Sequence, residues 1–356
     1  MDLEFWRNKT VFLTGHTGFK GAWMSFWLHQ LGATVFGYSL SPNTSPNLYE
    51  KLELDKKIKS VFSDVTDLES LKKEIDLARP EIIFHMAAQP LVQYSYRNPY
   101  ETFKTNVLGT VCLLEAVRYC SSVRAVVIVT TDKCYQNNEY VRPYRESDRL
   151  GGDDPYSSSK ACAELVTGSF QKSFFSSGLG HKDTCAIASA RAGNVIGGGD
   201  WAEDRLVPDL IRAIENKKIL TLRNPGAIRP WQFVLEPLRG YLMLAQRLCQ
   251  DGIKFSGGWN FGPADNESAT VEWIVSKVYE ELGITADWKM AGEQYFEEKK
   301  ILRLDISKAE EIVWRPVLSA EESIKYTARW YASYLSRENL CQITKEQIEQ
   351  YEKLIK

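Results

Sequence analysis

From residue 10 to about residue 190, short apolar runs alternate with stretches whose apolar positions recur every three or four residues. The runs at 10–13, 34–38, 61–65, 82–84 and 124–131 are too short for helices and are bounded by polar or glycine residues, so they read as strands. Between them, 22–31, 68–78, 100–119 and 161–175 each carry one apolar stripe and read as helices. Apolar strands separated by helices pack as a parallel sheet covered on both faces. The predicted fold class is therefore α/β, with a doubly wound parallel sheet. After Val195 the alternation gives way to a mixed pattern, which predicts a smaller mixed α/β lobe. We expect residues 1–190 to form the first domain and 191–356 mainly the second lobe, with some segments returning to the first. Amphipathic stretches at 270–282 and 320–335 then cover that lobe.

Composition narrows the class of ligand. The chain has 356 residues, enough for two cores, and a formal net charge of -2 with 25% charged residues. No broad basic field exists for nucleic acid or an anionic membrane, so neither is expected as a partner. Any anionic ligand has to be gripped by a few local Arg and Lys side chains. The seven cysteines are odd in number and scattered without metal-type spacing, so no metal is expected and the thiols suit a reducing cytoplasm. No run reaches the ~18 apolar residues of a membrane span.

Candidate chemistry begins at Thr14-Gly15-His16-Thr17-Gly18-Phe19-Lys20-Gly21, between the first strand and the first helix. Glycines at 15, 18 and 21 allow a tight turn, close approach of a pyrophosphate and close packing of helix on sheet. The helix N-terminus adds free N–H groups and a positive dipole end. Gly15, Thr17, Gly18, Phe19 and Gly21 are thus expected dinucleotide contacts, and the fold becomes a Rossmann-type one. At the end of the second strand, where an acid commonly takes the ribose hydroxyls, the chain reads Gly37-Tyr38-Ser39-Leu40. That position does not choose between NAD and NADP. Asp64 either faces the adenine or belongs to the N-cap region of the helix at 68–78. Ala87 and Ala88 leave room for a ligand at the end of the fourth strand, and Lys104 is grouped with them as a cofactor contact. His85 reads as a structural group.

The fifth strand empties into Thr130-Thr131-Asp132-Lys133-Cys134-Tyr135, a polar density that marks a site. A polar loop follows to Asp154, of the kind that forms lids or substrate contacts. Then come Tyr156 and Lys160, four apart and so on one helical face. A phenol near a cation loses its proton more readily and can take an alcohol proton as hydride leaves.

These pieces resemble the extended short-chain dehydrogenase/reductase family, in its nucleotide-sugar 4,6-dehydratase branch. The resemblance rests on TGHTGFKG (14–21), HMAAQP (85–90), TN-LGT (105–110), TTDKCY (130–135), YSSSK (156–160), RAGNVIGGGDW (191–201), IRPWQFV (228–234) and WNFGP (259–263). It runs nearly end to end, and its wording is nearest to members acting on CDP-glucose. It implies NAD as a recycled cofactor, with Tyr156 as proton acceptor, Thr131 on the sugar O4 and Lys160 on the nicotinamide ribose. It implies that Asp132 protonates the departing C6 hydroxyl. Lys133 departs from the glutamate of dTDP-glucose relatives: it acts as the C5 base, stabilises the enolate, or merely neutralises Asp132.

On the substrate side we expect Gln89, Asn194, Arg205, Arg223, Arg229 and Arg303, since guanidinium forks suit a diphosphate. Arg223 and Arg303 read equally well as solvated surface charges. Trp231 either stacks on the ligand or belongs to the core. The helices at 100–119 and 156–175 resemble those that pair in the family's dimers, implying a homodimer or homotetramer, although their apolar faces suit packing on the sheet as well.

Overall fold

The computed structural model describes residues 1–138, 142–176, 185–264, 269–292 and 302–356. Its strands in chain order are β1 (Thr10–Thr14), β2 (Thr34–Ser39), β3 (Lys59–Phe62), β4 (Ile82–His85), β5 (Ala125–Val129), β6 (Ala186–Ala192), β7 (Val195–Ile196), β8 (Leu220–Leu222), β9 (Ile228–Arg229), β10 (Gln232–Phe233), β11 (Gly257–Phe261), β12 (Ala269–Thr270) and β13 (Trp288–Met290). Seven of them form one parallel sheet in the order β11-β6-β5-β4-β1-β2-β3. The order reverses between β1 and β4, whose register pairs Val11 with Ile82 and Leu13 with Phe84. A crevice at the carboxyl ends of those two strands is where such sheets take ligands.

The alternation along β5 shows why both faces are covered. Val127 and Val129 enter one core with Trp6, Trp23, Trp27 and Leu238, while Val126 and Ile128 enter the other with Leu113, Val117 and Ile187. Each such side chain stabilises the fold by roughly 1.5–3 kcal/mol when fully buried. The second half of the chain contributes to the first core. Helix Leu235–Asp251 packs on β5 and β6, and β11 extends the sheet by pairing Trp259 with Ala190. Outside the sheet are three small two-stranded pairs: β8–β13 and β9–β12 lie beside helices Leu206–Glu215 and Val271–Glu281, and β7–β10 beside helices Leu235–Asp251 and Ala320–Leu335.

Three local features differ from expectation. The third strand ends at Phe62, so Asp64 lies beyond it: Asp64 Oδ1 accepts from Thr66 N at 2.9 Å, while Asp67 caps helix Leu68–Ala78 through Ser70 N. The helix expected at 100–119 is Pro99–Phe103 and Gly109–Tyr119 joined by a widened turn at Lys104–Leu108. There Asn106 donates to the Gln89 carbonyl and to Ser159 Oγ, tying the turn to its neighbours. Helices Leu235–Asp251 and Leu340–Leu354 have no counterpart in the sequence reading.

Candidate active site

At the switch point, Thr14 ends β1 and its Oγ1 accepts from both Met86 N and Ala87 N at 3.2 Å. Gly15 follows at φ 79°, and a Cβ on it would stand 2.6 Å from Ala87 N. A Cβ on Gly21 would collide with the Gly15 carbonyl, whereas Gly18 faces open space apart from Gly15 O at 3.5 Å. Helix Phe19–Gln30 has Gly18 as its N-cap with no side-chain cap, so its first-turn N–H groups remain available. A bare helix N-terminus above a turn that only glycine can form fits a dinucleotide diphosphate. Thr17 closes the turn on β2 through Ser39 Oγ and the Leu40 carbonyl, both at 2.9 Å. His16 is buried against Tyr49 and Phe62, and burial lowers its pKa to about 4, so the ring is neutral. Past β3, Lys104 Nζ reaches Asp64 Oδ2 at 3.4 Å. Burial would raise the Asp64 pKa, but hydrogen bonds from Thr66 and the Lys104 charge outweigh it and hold the pKa low.

The reactive group forms where β5 ends and the next helix begins. Thr131 caps the single turn Asp132–Cys134, and its hydroxyl donates to Asp132 Oδ1 at 2.9 Å. Asp132 Oδ2 is buried without a hydrogen-bond partner among the described residues. Burial raises the Asp132 pKa, opposed chiefly by the Lys133 charge. Lys133 makes no ion pair among the described residues. Helix Pro155–Phe174 starts because Asp154 accepts from Ser157 N at 2.9 Å and Pro155 fills the first position. That start sets Tyr156 and Lys160 one turn apart on the face toward β5, where Lys160 Nζ donates to the Val129 carbonyl at 3.1 Å.

Burial dominates the electrostatics of this pair. It lowers the Lys160 pKa to about 8 and raises that of Tyr156 to about 12. In the chain alone, desolvation exceeds the help that Thr131 and Arg205 give the phenolate. One turn beyond Lys160, Glu164 accepts from Thr130 Oγ1, from Ser189 Oγ at 2.6 Å and from Arg191 Nη2 at 2.7 Å. This network fastens the helix to β5 and β6. Sequence reading passed over Glu164, although it stands four residues from Lys160 on the same face.

A cavity of about 320 Å³ opens over this group, lined by Thr131, Asp132, Lys133 and Tyr156 together with Asn194, Arg205, Arg223, Arg229 and Trp231. A contiguous recess of about 90 Å³ shares Asp132, Lys133, Asn194 and Arg229. The short helix Val92–Arg97 contributes Val92 and Gln93 to both. Arg205 Nη1 pairs with Asp200 at 2.7 Å and Arg223 lies 3.8 Å from Asp204. Trp231 is only 5% exposed and donates to the Ala269 carbonyl, so it is both core and wall.

Two expected residues are not brought to either cavity. Gln89 donates to Thr102 Oγ1 at 2.8 Å and accepts from Leu91 N, which braces the loop before helix Val92–Arg97. Arg303 lies where the chain runs beside Tyr144, whose N–H donates to the Arg303 carbonyl at 2.9 Å. Of the loop expected at 136–154, residues 139–141 lie outside the described residues. Conversely, Phe19 and Lys20 line the main cavity. A lysine placed inside the glycine turn, in the first turn of a helix whose residues 21–28 are all buried, was a visible signal for the latter.

A family model described as GDP-mannose 4,6 dehydratase matches residues 12–327. A CDP-glucose 4,6-dehydratase of Salmonella typhimurium is 49% identical over 352 residues, covering 99% of this chain and 98% of the relative. GDP-mannose 4,6 dehydratase 2 of Arabidopsis thaliana is 26% identical, covering 89% and 85%. Among solved structures, a dTDP-glucose 4,6-dehydratase from Streptomyces venezuelae with NAD bound superposes with a TM-score of 0.78 at 21% identity, covering 93% of this chain and 99% of that one. A UDP-glucose 4-epimerase from Thermotoga maritima gives 0.78 at 22%, covering 91% and 99%. Both likenesses confirm the Rossmann-type fold.

Proposed function

The chain belongs to the GDP-mannose 4,6 dehydratase family and is a nucleotide-sugar 4,6-dehydratase; on that premise we propose that it converts CDP-glucose to CDP-4-dehydro-6-deoxyglucose and water, with NAD as a recycled cofactor. The observation that carries the reading is the buried Asp132, its pKa raised, hydrogen-bonded to Thr131 in the cavity that also holds Tyr156. An epimerase needs the hydroxyl pair but no acid in that place.

The nicotinamide, when bound, supplies the hydride acceptor for C4 and the donor for C6, with no net redox change. Gly15, Gly18 and Gly21 with the helix start at Phe19 hold the diphosphate, and Ala87, Ala88, Asp64 and Lys104 border the crevice it occupies. Thr131 orients the sugar O4 and Tyr156 accepts its proton. Thr131 and Arg205 both favour the phenolate this requires. Lys160 holds the ribose. A ketone at C4 acidifies the C5 hydrogen, so oxidation precedes elimination. Asp132 then gives its proton to the departing C6 hydroxyl, and burial keeps that proton available. Lys133 acts at C5, as the base or as the charge that stabilises the enolate. Arg205, Arg229 and Asn194 take the substrate diphosphate, with Arg223 lining the same cavity. Residues 1–190 form the cofactor domain, and the later chain forms mainly the substrate lobe.

The assembly is a homodimer through helices Gly109–Tyr119 and Pro155–Phe174. Leu108, Tyr119 and Leu165 are 46%, 65% and 62% exposed, an apolar face a single copy leaves uncovered. To test the activity, CDP-, dTDP-, UDP- and GDP-hexoses are offered in turn with NAD. The expected result is a product lighter by one water from CDP-glucose first; a product of unchanged mass, or preference for another nucleotide, overturns the reading.

A further inference from the structure

His85 ends β4 and is buried at the switch point, with a hydroxyl against each ring nitrogen. Its Nδ1 lies 2.8 Å from Thr14 Oγ1 and its Nε2 lies 3.3 Å from Thr110 Oγ1. The neighbouring groups fix which way each bond runs. Thr110 gives its hydroxyl proton to the Asn106 carbonyl at 2.7 Å, so toward the ring it can only accept, and Nε2 carries the proton. Thr14 Oγ1 already accepts from Met86 N and Ala87 N, so its own proton goes to Nδ1. His85 is therefore a neutral ring in a single tautomer. A charged ring would turn a second N–H onto an oxygen whose acceptor sites are taken. Burial, with the Lys160 charge adding to it, lowers the His85 pKa to about 3. From Asn106 the chain of bonds continues through Ser159 Oγ to the Tyr156 carbonyl.

We propose that His85 is a positioning residue for the dinucleotide: by taking the Thr14 proton it turns the Thr14 lone pairs onto Met86 N and Ala87 N, and so holds the end of β4 against the glycine turn. This rests on the placement of the dinucleotide diphosphate at that turn. The spacing there is tight, since a Cβ on Gly15 would stand 2.6 Å from Ala87 N and 2.7 Å from the Met86 carbonyl carbon. Without an acceptor at Nδ1, the Thr14 hydroxyl is free to rotate its proton toward the two amides, and the clamp on the crevice wall is lost. Through Thr110 and Asn106 the same ring ties that wall to the first turn of helix Pro155–Phe174. One neutral side chain thus sets the spacing of the cofactor turn from the Ala87 backbone and links it to the helix that carries Tyr156.

The test takes two readouts from the intact protein. Proton–nitrogen correlation NMR of the imidazole rings reads the tautomer directly, with His85→Asn identifying the His85 signals among the four histidines. The expected pattern is a proton on Nε2 and a bare Nδ1, unchanged down to about pH 5, below the range in which an exposed histidine titrates. A proton on Nδ1, or a charged ring at neutral pH, overturns the proposal even if every variant fails to fold. Equilibrium titration with NAD⁺ and with NADH reads the consequence. His85→Leu should weaken both by about tenfold, the loss expected when a buried hydroxyl is left without its acceptor. His85→Asn, whose amide oxygen can stand where Nδ1 stood, should recover most of that affinity, whereas His85→Gln, which reaches toward Thr110, should not. Thr14→Val should weaken binding as His85→Leu does, and the two together should add nothing further. A role in filling space alone predicts unchanged affinity in His85→Leu; that result, or equal affinities in the Asn and Gln variants, overturns the proposal while leaving the NAD reading intact. If neither dinucleotide binds the unaltered protein, the NAD reading falls and the role of His85 falls with it.

Discussion

The Thr131 hydroxyl donates to Asp132 Oδ1 at 2.9 Å, while Asp132 Oδ2 is left buried and unpartnered among the described residues. One oxygen is thus held by the residue proposed to orient the sugar alcohol, and the other is the atom from which, in the proposed mechanism, a proton passes. Asp132→Asn removes the transferable proton and keeps the shape. Product formation is expected to fall by about 10²–10⁴-fold while reduced nicotinamide still appears on mixing, because C4 oxidation does not need this acid. Burial raises the Asp132 pKa, so the acid form persists to higher pH than on an exposed aspartate and is lost as pH rises through that raised value. The elimination step should therefore fail on the alkaline side, read as accumulation of reduced nicotinamide.

Tyr156→Phe takes away the group proposed to accept the O4 proton. Reduced nicotinamide should no longer appear on adding substrate, with kcat/KM lower by about 10²–10⁴-fold and an unchanged melting temperature. A variant with full activity would remove Tyr156 from the mechanism.

Gly15→Ala combines a left-handed φ of 79° with a Cβ 2.6 Å from Ala87 N. The strained backbone should cost about 1–3 kcal/mol of stability and the displaced turn should weaken dinucleotide binding. Chemical denaturation and ligand titration read the two effects separately. Gly18→Ala, with open space around its Cβ, should fold almost normally.

Glu164→Gln leaves Arg191 as a buried charge without its carboxylate, in a pair whose side chains are 3% and 5% exposed. Breaking such a pair is expected to destabilise the protein by about 3–5 kcal/mol, measured by urea unfolding. Despite burial, which pushes the other way, Arg191 and the hydroxyls of Ser189 and Thr130 hold the Glu164 pKa below its usual 4.5. Its contribution to stability is therefore complete above that value and is lost as pH falls through the lower folded pKa.

Leu165→Glu puts a charge in the exposed apolar face of helix Pro155–Phe174. Sedimentation should show the proposed dimer for the unaltered protein and monomer for the variant, with little change in the melting of the monomer itself. An unaltered dimer would place the interface elsewhere.

Much of the seven-stranded sheet was legible because its signals are local. Apolar runs at 10–13, 82–84 and 124–131 became β1, β4 and β5, and the glycine spacing located the turn, since only glycine can occupy φ 79° against the Ala87 backbone. Tyr156 and Lys160 were legible from helical spacing after an Asp-Pro start. By contrast β11 sits beside β6 after a gap of more than sixty residues, and no local pattern marks a strand that returns. Gln89 and Arg303 were grouped with the ligand contacts from the sequence, but neither lines the two cavities: the Gln89 amide is bonded to Thr102, and the Arg303 carbonyl accepts from Tyr144 N.

The order of residue types along this chain determined its strands, its glycine turn and the set of polar groups available for chemistry, because each depends on a few adjacent residues. Only the tertiary structure decided how those groups behave. Burial in the cavity walls sets Lys160 near 8, Tyr156 near 12 and Lys20 near 7, with smaller contributions from charges and hydroxyls on the turn after β5, on the helix at Pro155–Phe174 and at Arg205. Desolvation is a property of what closes over a side chain, and distant segments do the closing.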